Sequence, residues 1–237
     1  MHLCMVREIG RLRKGVSYMD FERVKEYTKI YIDSLLYNTP FRDEAYRQDQ
    51  LAKVDDAKNL FRCIYIINKG NRFDYLNFLH KYEVITEQEC ADMVYSIWTM
   101  QERFHDCGMA KTKLIKFMKM ADKEISLPDN IEQLSDNDMI TIYRGARVNN
   151  YKGLSWTIDK QRAEWFAKRF GISGEKGYVF TGQIKKKDII AFFDSRNEEE
   201  IVCDYRKVKD IQCEEIILSS SETNTLGKYA EQSIVVM

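Results

Sequence analysis

Gly153-Leu154-Ser155-Trp156-Thr157-Ile158-Asp159-Lys160-Gln161-Arg162-Ala163-Glu164-Trp165-Phe166-Ala167-Lys168-Arg169-Phe170 is the stretch where the apolar pattern of the chain changes period. Its first five residues read as a short strand. Residues 159–170 set Ala163, Phe166, Ala167 and Phe170 on one face of a helix, with Arg162 and Arg169 elsewhere. This helix interrupts a series of β-type runs over residues 140–143, 178–184, 189–193, 200–203 and 216–218, and the run 233–237 reads as an additional edge strand.

Upstream the period is helical. Phe21, Val24, Tyr27, Ile30, Tyr31 and Leu35 mark an amphipathic helix over residues 20–36. Leu51, Val54, Ala57, Leu60, Phe61, Ile64 and Ile67 form a second stripe that ends at Lys69-Gly70. A shorter helix is expected over 73–82. Thr86-Glu87-Gln88-Glu89 matches a capping box and opens a helix towards His105, closed by Gly108. A last helix, over 110–121, has Leu114, Phe117 and Met118 inside and Lys111, Lys113, Lys116 and Lys119 on a solvated face. Residues 122–138 are polar and punctuated by Pro128. The expected architecture is therefore α+β: a helical domain over 1–125, a linker over 126–138 and a β-rich domain over 139–237.

Composition narrows the function. The 237 residues are 44% hydrophobic and 31% charged, ordinary for a folded globular chain. Lys+Arg and Asp+Glu both total 37, so the overall basic excess of a general nucleic-acid or anionic-membrane binder is missing. No apolar run approaches the roughly 18–20 residues that span a bilayer, and the N-terminus lacks the order of a secretory signal. The expected location is cytoplasmic, where the six scattered cysteines are free thiols. His105, Asp106 and Cys107 lie together but lack a fourth ligand at suitable spacing, so no metal is expected. A Walker loop and a GxGxxG turn are both missing.

Three patches put polar residues where strands prefer apolar ones: Ile142-Tyr143-Arg144-Gly145, Ser155-Trp156-Thr157, and Arg196-Asn197-Glu198-Glu199-Glu200-Ile201-Val202. Each alone has an ordinary reading, as a surface ion pair, a helix cap or a solvated acidic loop. Lys185-Lys186-Lys187 reads as a hairpin turn with solvated charges. As an ordered set, the three patches resemble the mono-ADP-ribosyltransferases of the Arg-Ser-Glu class: aromatic-Arg-Gly, then Ser-x-Thr leading into a helix with Ala-x-x-Phe-Ala, then Glu-x-Glu entering a strand. Arg144 precedes Ser155 by 11 residues and Ser155 precedes Glu200 by 45, intervals that fit that family. No histidine follows His105, so the His-Tyr-Glu branch of the superfamily does not fit, and the same absence counts against the related tRNA 2′-phosphotransferases.

The resemblance covers about a third of the chain and implies a split, mixed β-sandwich that clamps NAD as substrate. It implies that Glu200 is the catalytic carboxylate, that Glu198 orients and deprotonates the acceptor, and that Ser155 positions Glu200. Arg144 would hold the dinucleotide, Tyr143 and Gly145 flank it, Trp156 and Thr157 shape the pocket floor, and Phe166 either reaches the nicotinamide or belongs to the core. The glycine loop 171–177 would fold over the ligand. The run of three glutamates leaves Glu199 open as an alternative to Glu200, which is preferred because it immediately precedes Ile201-Val202. The implied activity is ADP-ribosyl transfer to a macromolecule, with arginine on a protein as acceptor. Water or a nucleic acid as acceptor, and an inactive binding or inhibitor protein on the same fold, are the alternatives. Family analogy makes the protein a toxin-like or phage-type effector. The helical domain would then serve target recognition, regulation or a neutralising partner.

Overall fold

Among the described residues, the first part of the chain forms four α-helices: α1 (Phe21–Tyr37), α2 (Glu44–Asp56), α3 (Leu60–Ile66) and α4 (Arg72–Lys81). In this computed structural model the described residues are 20–37, 44–100, 108–121, 123–169, 174–194 and 198–218. His105, Asp106, Cys107, Arg196, Asn197, residues 171–173 of the glycine loop and the run 233–237 lie outside them. The second apolar stripe is divided into α2 and α3 rather than one helix, because Asn59 caps a new start by accepting from the Arg62 amide at 3.0 Å. Val24, Ile64, Phe73, Leu76 and Leu79 are fully buried, and Thr28 Oγ1 and Tyr75 Oη share a hydrogen bond of 2.6 Å in that core.

The chain divides into two compact units, Met1–Glu87 and Gln88–Met237. The division falls well before residue 125. Most of α5 (Glu87–Ile97), with its 3-10 extension Trp98–Met100, therefore belongs with the β-rich part, as do α6 (Lys111–Met120) and α7 (Asp129–Glu132). Residues 126–138 are mostly exposed but are anchored to the second unit at a few apolar positions. Ile131 is buried in the main core of the second unit, with Ile125, Leu127 and Leu134 against it. Lys186 donates to the Glu132 carbonyl at 2.5 Å and the Leu134 carbonyl at 3.1 Å, which satisfies the end of α7. Within the lysine run Lys186 is thus tied down, while Lys187 is exposed.

Six strands make one sheet: β1 (Met139–Ala146), β2 (Ser155–Thr157), β3 (Lys176–Lys185), β4 (Ile189–Phe193), β5 (Glu200–Cys203) and β6 (Lys209–Ile217). Their order is β4-β5-β2-β1-β3-β6, and every adjacent pair is antiparallel. The sheet is thus not mixed, contrary to expectation. It is uneven, however. β1 and β3 pair over eight positions, whereas β1 and β2 pair at one, Tyr143 opposite Thr157. That single pair joins a β4-β5-β2 half to a β1-β3-β6 half.

The pleat sorts side chains between two faces. Ile140, Ile142, Trp156, Phe180, Ile184, Ile201 and Cys203 fill the main core on one face. On the other lies α8 (Lys160–Lys168), whose Ala163 and Ala167 pack with Val179, Tyr143 and Ile216. Asp159 starts this helix by accepting from the amides of Gln161 at 2.7 Å and Arg162 at 3.3 Å. Gly145 and Gly177 make the close approach possible. A Cβ on either would run into the backbone of α8 at Ala163 or Ala167.

Candidate functional site

Glu200 opens β5 and is directly opposite Thr157 on β2, which is in turn opposite Tyr143 on β1. Directly paired residues share a face, so this row aligns Tyr143, Thr157 and Glu200 across three neighbouring strands. Ser155, two residues before Thr157, is on the same face and opposite Val202. Glu200 is buried, and its Oε1 accepts a hydrogen bond from Trp98 Nε1 at 3.0 Å. The indole donor lies 102 residues away in sequence and is itself fully buried.

The acidic loop is held by its backbone. Thr157 Oγ1 donates to the Glu198 carbonyl at 2.9 Å and accepts from the Asp159 amide at 3.1 Å. Thr157 therefore ties the acidic loop to the start of α8, and Asp159 performs the capping. Glu199 takes a left-handed backbone with φ 43°, and its amide donates to Asp194 Oδ1 at 3.3 Å. This turn precedes the strand and leaves Glu198 and Glu199 half-buried while Glu200 enters the sheet. Of the two carboxylates left open by sequence, Glu200 is the one held in the row with Thr157 and Tyr143.

Arg144 sits differently. Its position on β1 alternates with Tyr143, so its stem leaves on the face of Ile142 and Trp156. The guanidinium lies against Gly153, and Nη1 donates to the Ser155 carbonyl at 2.6 Å. A side chain thus bridges β1 and β2 one step beyond their single backbone pair. The Arg144 Nε is buried without a partner, as is that of Arg162 on α8. Burial pulls the Arg144 guanidinium below its ordinary value, opposed by the nearby Cys203 and Glu200. Burial also pushes the Cys203 thiol well up, which keeps it neutral and unreactive. An arginine with an unsatisfied, desolvated nitrogen, at the place where two strands part, is suited to an anion.

The remaining expected site residues have structural surroundings. Trp156 is 2% exposed within the main core and donates from Nε1 to the Gly153 carbonyl at 3.1 Å. It lies on the face opposite Glu200, so it supports the site from behind and does not line the Glu200 face. Gly145 seats α8 on the sheet. Phe166 is half-buried and meets Trp165 edge-on at 4.9 Å. Tyr143 packs beside Ala163 and Ala167. The structure therefore brings Glu200, Thr157, Ser155 and Tyr143 to one face and Arg144 to the strand gap beside it.

Trp98 is the residue that local pattern could not reveal. A tryptophan at the end of an amphipathic helix reads as core, and its polar partner is supplied by a strand far along the chain. Among the described residues no group of three or more His, Cys, Asp and Glu is placed to hold a metal ion. No helix among them is long and apolar enough to cross a membrane. Compared with models of known protein families, with curated proteins and with solved structures, the chain matches none.

Proposed function

We propose that this protein is an NAD-dependent mono-ADP-ribosyltransferase. The observation that carries the reading is the row Tyr143-Thr157-Glu200 across β1, β2 and β5, with the partnerless Nε of Arg144 buried beside it. The near-absence of pairing between β1 and β2 supports the same reading, because a ligand cleft needs strands that part. Glycosidic cleavage of NAD develops positive charge on the ribose, and a fixed carboxylate beside that sugar stabilises it without reorganising. Glu200 is this carboxylate. Arg144 holds the diphosphate, for which a planar guanidinium is well matched.

The bond between ribose C1′ and the nicotinamide nitrogen breaks, and nicotinamide leaves neutral with the electron pair. A guanidine nitrogen of the target then bonds to C1′ and loses a proton to Glu198. With water as acceptor the same steps give free ADP-ribose.

Labelled NAD added to a bacterial lysate with the purified protein tests this reading. Protease-sensitive label that depends on the protein is expected. Nuclease-sensitive label moves the acceptor to nucleic acid, and nicotinamide release without transfer makes the protein an NAD glycohydrolase. Intact NAD overturns the proposal.

Gly153→Ala separates binding from chemistry. The new methyl would collide with the Arg144 guanidinium, the far end of a flexible side chain. Displacing one charge-assisted contact raises KM for NAD about 10-fold, while kcat stays within about twofold and Tm within about 3 °C. Steady-state kinetics and a thermal melt check this.

A further inference from the structure

The indole N–H of Trp98, just beyond the end of α5, reaches Glu200 of the candidate site. We infer that Trp98 is a positioning residue for Glu200, an inference that rests on the NAD-cleaving role proposed for that carboxylate. Three observations converge. The donor and acceptor are 3.0 Å apart, within ordinary hydrogen-bond range. Both groups are buried, where such a bond is strong and its loss is costly. The two come from distant parts of the chain, so the contact depends on the tertiary fold of the second unit.

A carboxylate with one oxygen held by an indole N–H has a fixed rotamer. Indole is a pure donor, so it favours the ionised carboxylate that must face a developing cation. Tyr95, one turn before Trp98, packs against Phe193 with ring centres 5.0 Å apart and planes tilted by 53°, and Phe193 is opposite Glu200 on β4. The same helix end therefore also packs against the strand beside Glu200. The helical segment from α5 to Trp98 is part of the catalytic apparatus rather than of a separate recognition domain.

Trp98→Phe tests this in the full-length protein by nicotinamide release. It keeps an aromatic ring and removes the donor. The expected result is a kcat lowered about 10-fold or more with KM for NAD within about twofold. A merely structural role would instead lower the melting temperature and the active fraction, leaving kcat per folded molecule unchanged.

An independent readout needs no turnover. The indole ¹⁵N–¹H resonance identified by its loss in Trp98→Phe should shift in Glu200→Gln, where a neutral amide replaces the charged acceptor. A kcat within twofold of the parent overturns the inference, as does an indole signal indifferent to Glu200→Gln. A parent protein that releases no nicotinamide overturns the underlying reading and the positioning role together. That outcome is distinguishable because the indole shift still reports whether the contact exists.

Discussion

Glu200→Gln should lower nicotinamide release from NAD by at least about 100-fold while leaving the protein folded. The magnitude follows from removing a preorganised charge at a developing cation, comparable with losing one fixed electrostatic contact at a transition state. Glutamine is the informative replacement because Glu200 is buried and accepts from Trp98 Nε1. Alanine would strand that indole N–H and open a void, adding about 1–3 kcal/mol of destabilisation from the unsatisfied donor alone. The amide keeps the volume and an acceptor oxygen, so loss of activity reads the charge. Equal rates in Glu200→Gln and the parent would remove the carboxylate from the chemistry. Glu199→Gln is the matched control. Its side chain belongs to the left-handed turn before the strand, and its turnover is expected within about threefold of the parent.

Gly145→Val should be the most destabilising of these substitutions. A Cβ at this position would meet the Ala163 carbonyl oxygen and, at 2.6 Å, the Ala167 amide nitrogen, both helix backbone. Backbone cannot rotate away as a side chain can, so α8 must lift from β1. Overpacking of this kind costs about 3 kcal/mol or more, which for a chain of this size lowers Tm by about 6–12 °C. Asp159 and Thr157, which link α8 to the acidic loop, move with the helix. Activity should therefore fall along with stability. A melt unchanged from the parent would mean that α8 does not rest on Gly145. The contrast with Gly153→Ala is direct, since one glycine faces rigid helix backbone and the other the far end of a side chain.

The helix and strand positions were legible in the sequence where burial is one-sided. Residues 160–168 form the expected helix because Ala163 and Ala167 bury one stripe. β5 emerges as Glu200–Cys203 because Ile201-Val202 is an apolar run bounded by polar residues. β6 was mostly illegible. It spans Lys209–Ile217 as an edge strand with largely exposed residues, so nothing in its pattern separates it from a loop. The anchoring of the mostly exposed segment 126–138 was equally hidden, because isolated Ile125, Leu127, Ile131 and Leu134 do not form a periodic stripe.

For the candidate site, the sequence supplied residue types and intervals, and these led to the row formed by Tyr143, Thr157 and Glu200. It could not distribute them between faces. Trp156, one residue from Ser155 and Thr157, turns into the core because strand side chains alternate. Arg144 leaves on that same side and returns to the gap through a contact with the Ser155 carbonyl. Trp98 escaped notice because only the tertiary fold brings it to Glu200.

The most direct test is the fate of NAD with the purified 237-residue chain alone, followed by chromatography of nicotinamide and ADP-ribose over time. The account predicts nicotinamide released as NAD disappears, at a rate proportional to protein and suppressed in Glu200→Gln. NAD that remains intact at high protein concentration, with parent and variant indistinguishable, would contradict it.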